Sequence, residues 1–96
     1  MHILIKNVAK VPNKHIKLLK WKIYNLAEKF KNLIYVEAFI TSEGRHPVEY
    51  ILKLRLGIPG HDIVITRKSS QIEKCIRQIE DNAHIRLVNS KEKVLW

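Results

Sequence analysis

Apolar residues recur between Pro12 and Leu33 at steps of three and four, the spacing of one face of an α-helix. Proline suits the first turn of a helix because its missing N–H would have no partner there. We therefore predict a first helix over Pro12 to Leu33, stopping near Asn32, with one apolar seam. That seam consists of Ile16, Leu19, Ile23, Leu26 and Phe30.

Four short apolar stretches predict β-strands. The clearest runs from Val48 to Leu56, where Leu52 and Leu54 alternate with Lys53 and Arg55. Such alternation gives a strand one buried face and one wet face. The other strands are predicted over His2 to Val8, Tyr35 to Thr41 and Asp62 to Thr66, with turns at Ser42 to Pro47 and Gly57 to Gly60.

A second helix is predicted to begin at Ser70, because Glu73 follows it in a capping-box pattern. The seam of this helix is Ile72, Ile76, Ile79, Ala83 and Leu87, and Asn89 to Trp96 is assigned to no element. The order β-α-β-β-β-α then predicts an α+β fold, with two helices packed on one face of a four-stranded antiparallel sheet. Ninety-six residues, 46% of them hydrophobic, fit a single domain over residues 1–96.

The net charge of +9 favours a polyanion as partner, either nucleic acid or an anionic membrane surface. No apolar run approaches the ~20 residues of a membrane-spanning helix. The start, Met1 to Lys6, does not resemble a signal peptide, and the single Cys75 cannot form an internal disulfide. We therefore expect a cytoplasmic protein.

Basic charge is concentrated on the first predicted helix, which contains six lysines and only one acidic residue, Glu28. Ammonium groups neutralise phosphates and aromatic rings stack on bases, so this composition favours an RNA surface. The alternative is that the lysines are ordinary solvated residues and that Trp21 covers the edge of the core. At 100° per residue, the outer sectors carry Lys14, Lys17, Lys20, Trp21, Tyr24 and Lys31.

The second helix carries a weaker version of the same pattern. Between Gln71 and Val94 there are five basic and four acidic residues, and Asp81 interrupts the outer cations. Packed beside the first helix, this helix would widen the same surface. Its outer residues are Lys74, Arg77, His84 and Lys91, whereas Lys53, Arg55, Arg67 and Lys68 on or near the sheet can equally serve solubility.

The sequence predicts no catalytic residue, metal ligand or cofactor. No two histidines have the i, i+4 spacing of a helical zinc site, and Cys75 flanks an apolar seam. The glycines at 57 and 60 are not followed by the Lys-Ser/Thr of a phosphate loop, and His61-Asp62 is more typical of the start of a strand. We therefore expect neither an enzyme nor a small-molecule substrate.

These features together resemble the ribosome hibernation-promoting factor family, also called ribosome-associated inhibitor or sigma-54 modulation proteins. The resemblance covers nearly the whole chain and depends on the order of its motifs. The motifs are the opening strand Met1 to Val8, Lys22-Ile23, Leu26 and Phe30 to Leu33 in the first helix, Tyr50 to Gly60, Asp62 to Thr66, and Ser70 to Glu73.

The resemblance implies a fold like that of double-stranded-RNA-binding domains, and binding to the small ribosomal subunit between its head and body. Both helices would present basic residues to ribosomal RNA where messenger and transfer RNAs sit, blocking translation in starved or stationary cells. No reaction is catalysed. The matching positions are Lys22, Lys31, Lys74 and Arg77, with Lys17 and Lys20 alongside.

Two departures from the family pattern change these expectations. The family's second helix ends in a basic run, but residues 80–89 are mixed here, which shifts weight to Arg86, Lys91 and Lys93. The second domain of the long form, which mediates ribosome dimerisation, has no counterpart in the sequence. We therefore expect the short form, monomeric off the ribosome.

Two other functions stay open at this point. One is a protein-interaction module that uses the open sheet face or an edge strand, with lysines serving solubility. The other is a domain for free double-stranded RNA, although the last helix starts with the acid Glu73 instead of a lysine cluster. An enzyme is the least supported reading.

Overall fold

The computed structural model describes residues 2–94, with side chains described through residue 89. The predicted order β-α-β-β-β-α is confirmed. The elements are β1 (His2–Asn7), α1 (Asn13–Lys29), β2 (Tyr35–Glu43), β3 (Glu49–Ile58), β4 (His61–Ser69) and α2 (Ile72–Val94).

The four strands form one sheet in the order β1-β2-β3-β4. β2, β3 and β4 are antiparallel neighbours, but β1 runs parallel to β2, so the expectation of a fully antiparallel sheet was wrong. The reason is the connection: α1 lies between β1 and β2, and a helical crossover returns the chain to start the next strand in the same direction.

A single core lies between the sheet and both helices. The predicted seams are buried, with Ile16 of α1 only partly so. Alternate residues of the strands face these seams, as the alternation in β3 predicted. The inward-facing strand residues are Val36, Ala38 and Ile40 of β2, Leu52, Leu54 and Leu56 of β3, and Ile63 and Ile65 of β4.

The start of α1 is fixed by a side-chain clamp from the end of β1. The amide of Asn7 donates from Nδ2 to the carbonyl of Val11 (2.9 Å) and accepts at Oδ1 from the N–H of Val11 (3.0 Å). Lys10, inside this tight connection, has a positive φ of 56°. The clamp orients the chain as it enters the lysine-rich helix.

The end of α1 comes earlier than predicted. The helix ends at Lys29, and Phe30 turns out of it with φ −122° and ψ 90°. This turn lets both Phe30 and Leu33 reach the core, and the N–H of Ile34 then pairs with the carbonyl of Gly57 at the sheet. The apolar spacing of Phe30 and Leu33 is therefore that of a buried turn, which three-residue spacing alone cannot distinguish from helix.

Strands β2, β3 and β4 are each longer than predicted. β3 passes through Gly57 to Ile58, and the turn to β4 consists of Pro59 and Gly60 alone. Gly60 has φ +93°, so this turn has the type II pattern of proline followed by a positive φ. α2 begins at Ile72 and continues to Val94, through most of the unassigned tail.

Candidate nucleic-acid interface

The outer surface of α1 presents cations and aromatic rings to solvent. Lys14, Lys17 and Lys20 are exposed, and no carboxylate among residues 2–89 lies within salt-bridge distance of them. Trp21 is 59% exposed and Tyr24 is 58% exposed, although both are large aromatic residues. More than half of each aromatic side chain is therefore open to solvent and available to a partner.

The two helices lie side by side and run in the same direction. His15 Nδ1 of α1 lies 4.0 Å from Glu73 Oε1 of α2, and seven residues further along each helix Lys22 Nζ lies 2.5 Å from Glu80 Oε2. Beyond the end of α1, the ring of Phe30 contacts that of His84 edge to face, with centroids 5.3 Å apart. The second helix therefore widens the surface of the first, as the sequence predicted.

Lys22 lies at this helix–helix contact and not on the outer surface. Its side chain and that of Glu80 are each 23% exposed, and their ion pair joins α1 to α2. Lys22 Nζ also lies 5.9 Å from the centroid of the Trp21 ring. Lys22 therefore links the two helices and lies next to the Trp21 ring.

Lys31 lies in the turn after α1, where Nζ is 3.6 Å from Glu28 Oε2. Both side chains are about four-fifths exposed, with 77% for Lys31 and 80% for Glu28. Such an exposed pair is weak, so the ammonium group of Lys31 can exchange this partner for a phosphate. Because α1 ends at Lys29, the position of Lys31 is set by this turn and not by the helical period.

The predicted cations of α2 separate into two groups. Lys74, Arg77 and His84 are exposed on the outer side, together with the acid Asp81. Arg86 lies on the far flank, which carries Asn82, whose Oδ1 accepts a hydrogen bond from Arg67 of β4 (2.6 Å). Arg86 is thus directed away from α1, and the side chains of Lys91 and Lys93 lie outside the described residues.

The open face of the sheet keeps most of its charge internally paired. Arg55 donates from Nε (3.0 Å) and Nη2 (2.8 Å) to Asp62 Oδ2, and Lys68 is bonded to Glu43 with Glu49 also 3.7 Å away. Lys53 is exposed without such a pair among the described residues. Unpaired cations therefore concentrate on the helical side.

A polar network on this open face was not predicted from the sequence. The Tyr35 hydroxyl bonds to the Asp62 carboxylate, which raises the pKa of Tyr35. The hydrogen bonds from Tyr35 and Arg55 lower the pKa of Asp62. The only sequence signal was the pair His61-Asp62. The partners of Asp62 are set by strand register, since Tyr35 of β2 lies opposite Gly57 of β3, and Gly57 lies opposite Asp62 of β4.

Catalytic and metal chemistry find no support among the described residues. No group of three or more His, Cys, Asp and Glu side chains within them could hold a metal ion. Cys75 is buried, its Sγ lies 3.7 Å from the carbonyl oxygen of Tyr50, and burial raises the pKa of its thiol. Asp62 is engaged with Arg55 and Tyr35, as above. Within residues 2–94, neither helix has the length and apolarity needed to cross a membrane.

The fold is a compact α+β arrangement with a mixed sheet and two parallel helices on one side, and solved structures share it. A ribosomal subunit interface protein from Coxiella burnetii superposes with a TM-score of 0.83 at 14% identity, over 96% of this chain and 99% of the other. The N-terminal domain of Thermus thermophilus Protein Y superposes with a TM-score of 0.74 at 10% identity, over 91% and 96%.

Comparison by sequence adds nothing to this likeness. No protein-family model matches the chain, and no curated protein matches it. At 10–14% identity, the structural neighbours confirm the fold that the family resemblance implied. The residues that would contact RNA are not fixed by that likeness and depend on the surface itself.

Proposed function

We propose that this chain is a ribosome-binding translation inhibitor that contacts ribosomal RNA of the small subunit and occludes the sites of messenger and transfer RNA. The observation that carries the proposal is the outer face of α1, where unpaired lysines alternate with exposed Trp21 and Tyr24. The structural neighbour from Coxiella burnetii is a ribosomal subunit interface protein, which supports the proposal. Inhibition is by occupancy, with no reaction catalysed and no cofactor.

The contact surface is proposed to span both helices. Lysines of α1 and the turn after it neutralise phosphates, while the aromatic rings stack on exposed bases or riboses. Lys74 and Arg77 extend the surface across α2. The residues assigned to RNA are Lys14, Lys17, Lys20, Trp21, Tyr24, Lys31, Lys74, Arg77 and His84.

The test is co-sedimentation of the purified chain with ribosomal subunits through a sucrose cushion at low and high salt. Pelleting with the small subunit is expected at low salt. With five or six phosphate contacts, the affinity should fall by about 10³ between 50 and 200 mM salt. A flat salt response, or a chain that stays in the supernatant at both salts, contradicts the proposal.

The matched variants reverse charge on one face at a time. Lys17→Glu, Lys20→Glu and Lys31→Glu together should abolish pelleting, because they change exposed side chains of the α1 surface. Lys53→Glu, on the open sheet face, is the control for the single change Lys17→Glu and should leave pelleting nearly unchanged, whereas Lys17→Glu alone should weaken it. The opposite pattern would move the interface to the sheet and favour a protein-interaction module.

A further inference from the structure

We propose that the groove between α1 and α2 holds one unpaired guanine base of the bound RNA, read by the carboxylate of Asp81. This inference deepens the proposed function and rests on it. The groove is a cavity of about 240 Å³, lined by Asn25, Leu26 and Lys29 from α1 and by Glu80, Asp81 and His84 from α2. Pockets for drug-sized ligands start at about 300 Å³, so this space suits a single base.

Asp81 places a negative charge on the surface that is proposed to bind the polyanion RNA. Asp81 is exposed on the outer side of α2, among Lys74, Arg77 and His84. Its neighbour Glu80 is neutralised by Lys22, but among residues 2–89 no basic side chain lies within 4.0 Å of the Asp81 carboxylate. An unpaired carboxylate repels phosphate, so an RNA seated here must offer it hydrogen-bond donors.

The donors of RNA are the 2′-hydroxyls and the N–H groups of the bases. A carboxylate accepts through two oxygens side by side, and guanine presents two adjacent N–H groups, N1–H and N2–H, on its Watson–Crick edge. Adenine, cytosine and uracil each offer one donor group on that edge. The edge is free only in an unpaired base, which is the form that proteins read in RNA by sequence.

The remaining lining residues suit a base in this position. Leu26 is buried and supplies an apolar floor, and His84 is exposed with its ring fixed by the edge contact to Phe30, so it can stack on a flat ligand. Lys29 provides a cation for the phosphate of the same nucleotide. The site therefore combines a stacking ring, an apolar floor, a phosphate contact and a pair of acceptors.

The experiment is an NMR titration of the full ¹⁵N-labelled chain with GMP, AMP, CMP and UMP in separate runs. Amide shifts are expected at Asn25, Asp81 and His84, with GMP binding about tenfold more tightly than the other three. Asp81→Asn should remove that preference, because an amide offers one acceptor oxygen where two are needed. Glu28→Gln, the same change of charge on α1, is the matched control and should keep the preference.

Equal binding of all four nucleotides, or shifts that avoid the groove, would overturn the inference. A GMP preference that survives in Asp81→Asn would do the same. These outcomes are separate from failure of ribosome binding, because the titration contains no ribosome. If Lys17→Glu, Lys20→Glu and Lys31→Glu left sedimentation intact while GMP selectivity held, the occlusion surface would be wrong and the groove would stand.

Discussion

Gly57 leaves space for an aromatic ring on the open face of the sheet. The ring of Tyr35 on β2 lies across Gly57 on β3, and a Cβ placed at Gly57 would be only 2.0 Å from Tyr35 Cε1 and 2.3 Å from Cδ1. The missing side chain thus makes room for the ring whose hydroxyl reaches Asp62 on β4. Three neighbouring strands are tied together at this one position.

Gly57→Ala is expected to destabilise the protein by about 1–3 kcal/mol, because the added methyl group must displace the ring. The measurement is the urea midpoint of unfolding. In a Tyr35→Ala background the same change should cost little, since the atoms it collides with are gone. An equal cost in both backgrounds would show that the ring is not the obstacle.

Asp62 gives the fold a specific dependence on pH. Hydrogen bonds from Tyr35 and Arg55 lower its pKa in the folded state below the ~3.9 of an unfolded chain. A lowered carboxyl pKa stabilises the fold above the unfolded pKa, and this contribution is lost as the pH falls through the folded pKa. The stability difference between wild type and Asp62→Asn should therefore be largest near neutrality and shrink below about pH 4.

The comparison is made by chemical denaturation of both proteins from pH 7 down to pH 3. Other carboxyl groups titrate in this range, but they are common to both proteins and cancel in the difference. A difference that stays constant across the range would contradict the role given to Asp62.

At the scale of elements, one largely enclosed ion pair joins α1 to α2. Lys22 and Glu80 are both largely enclosed, and they fix the distance between two helices whose outer sides form the proposed interface. Lys22, one of the lysines of α1, is thereby engaged in the contact between the two helices.

Lys22→Glu should separate the helices, because it sets two carboxylates against each other, and should cost more than the ~1 kcal/mol of an ordinary surface pair. Lys22→Glu combined with Glu80→Lys should recover most of that stability. It should also keep ribosome binding, since the net charge is unchanged and the outer lysines are intact. Thermal unfolding and co-sedimentation of the exchanged protein measure the two effects. Loss of binding without loss of stability would instead make Lys22 an RNA contact.

How far the sequence alone leads differs from one element to the next. The seams of both helices and the buried face of β3 follow from spacing, because period 3.6 and period 2 are properties of neighbouring residues. The parallel pairing of β1 was missed even though the helix between β1 and β2 was the available signal.

In the candidate site, too, some features follow from local spacing and others depend on tertiary contacts. The exposed lysines and Trp21 follow from helical spacing, since outward placement on α1 is a local property. The pairing of Lys22 with Glu80 and the network around Asp62 depend on helix direction and strand register, which bring together residues 58 and 27 positions apart in the chain. No local pattern contains that information.

At the scale of the whole molecule, the helical face and the open sheet face differ in how their charges are paired. Arg55 and Lys68 of the open sheet face are held by neighbouring carboxylates, whereas Lys14, Lys17 and Lys20 of α1 have no such partner among residues 2–89. The helical face therefore carries most of the unpaired positive charge, which suits the proposed contact with RNA, and the sheet face is close to electrically balanced.

This arrangement predicts competition on the small subunit. If the helical face occupies the decoding region, saturation with the chain should strongly reduce binding of messenger RNA and initiator tRNA in a filter-binding assay. The triple variant Lys17→Glu, Lys20→Glu, Lys31→Glu is the control and should not compete. Simultaneous binding of the chain and both ligands would contradict occlusion, even if the chain still sedimented with the subunit.

The shared direction of α1 and α2 has an electrical consequence. Each helix carries a macrodipole of roughly half a charge at either end, positive at its N-terminus. In antiparallel helices the two dipoles would nearly cancel, but here the contacts His15–Glu73 and Lys22–Glu80 show that they add. Because α1 has no acid in its first turn, its positive end is unscreened by its own side chains. As this protein approaches the proposed RNA partner, the electric field of the RNA would therefore orient the protein before the first contact forms. Such orientation favours rapid association at low ionic strength.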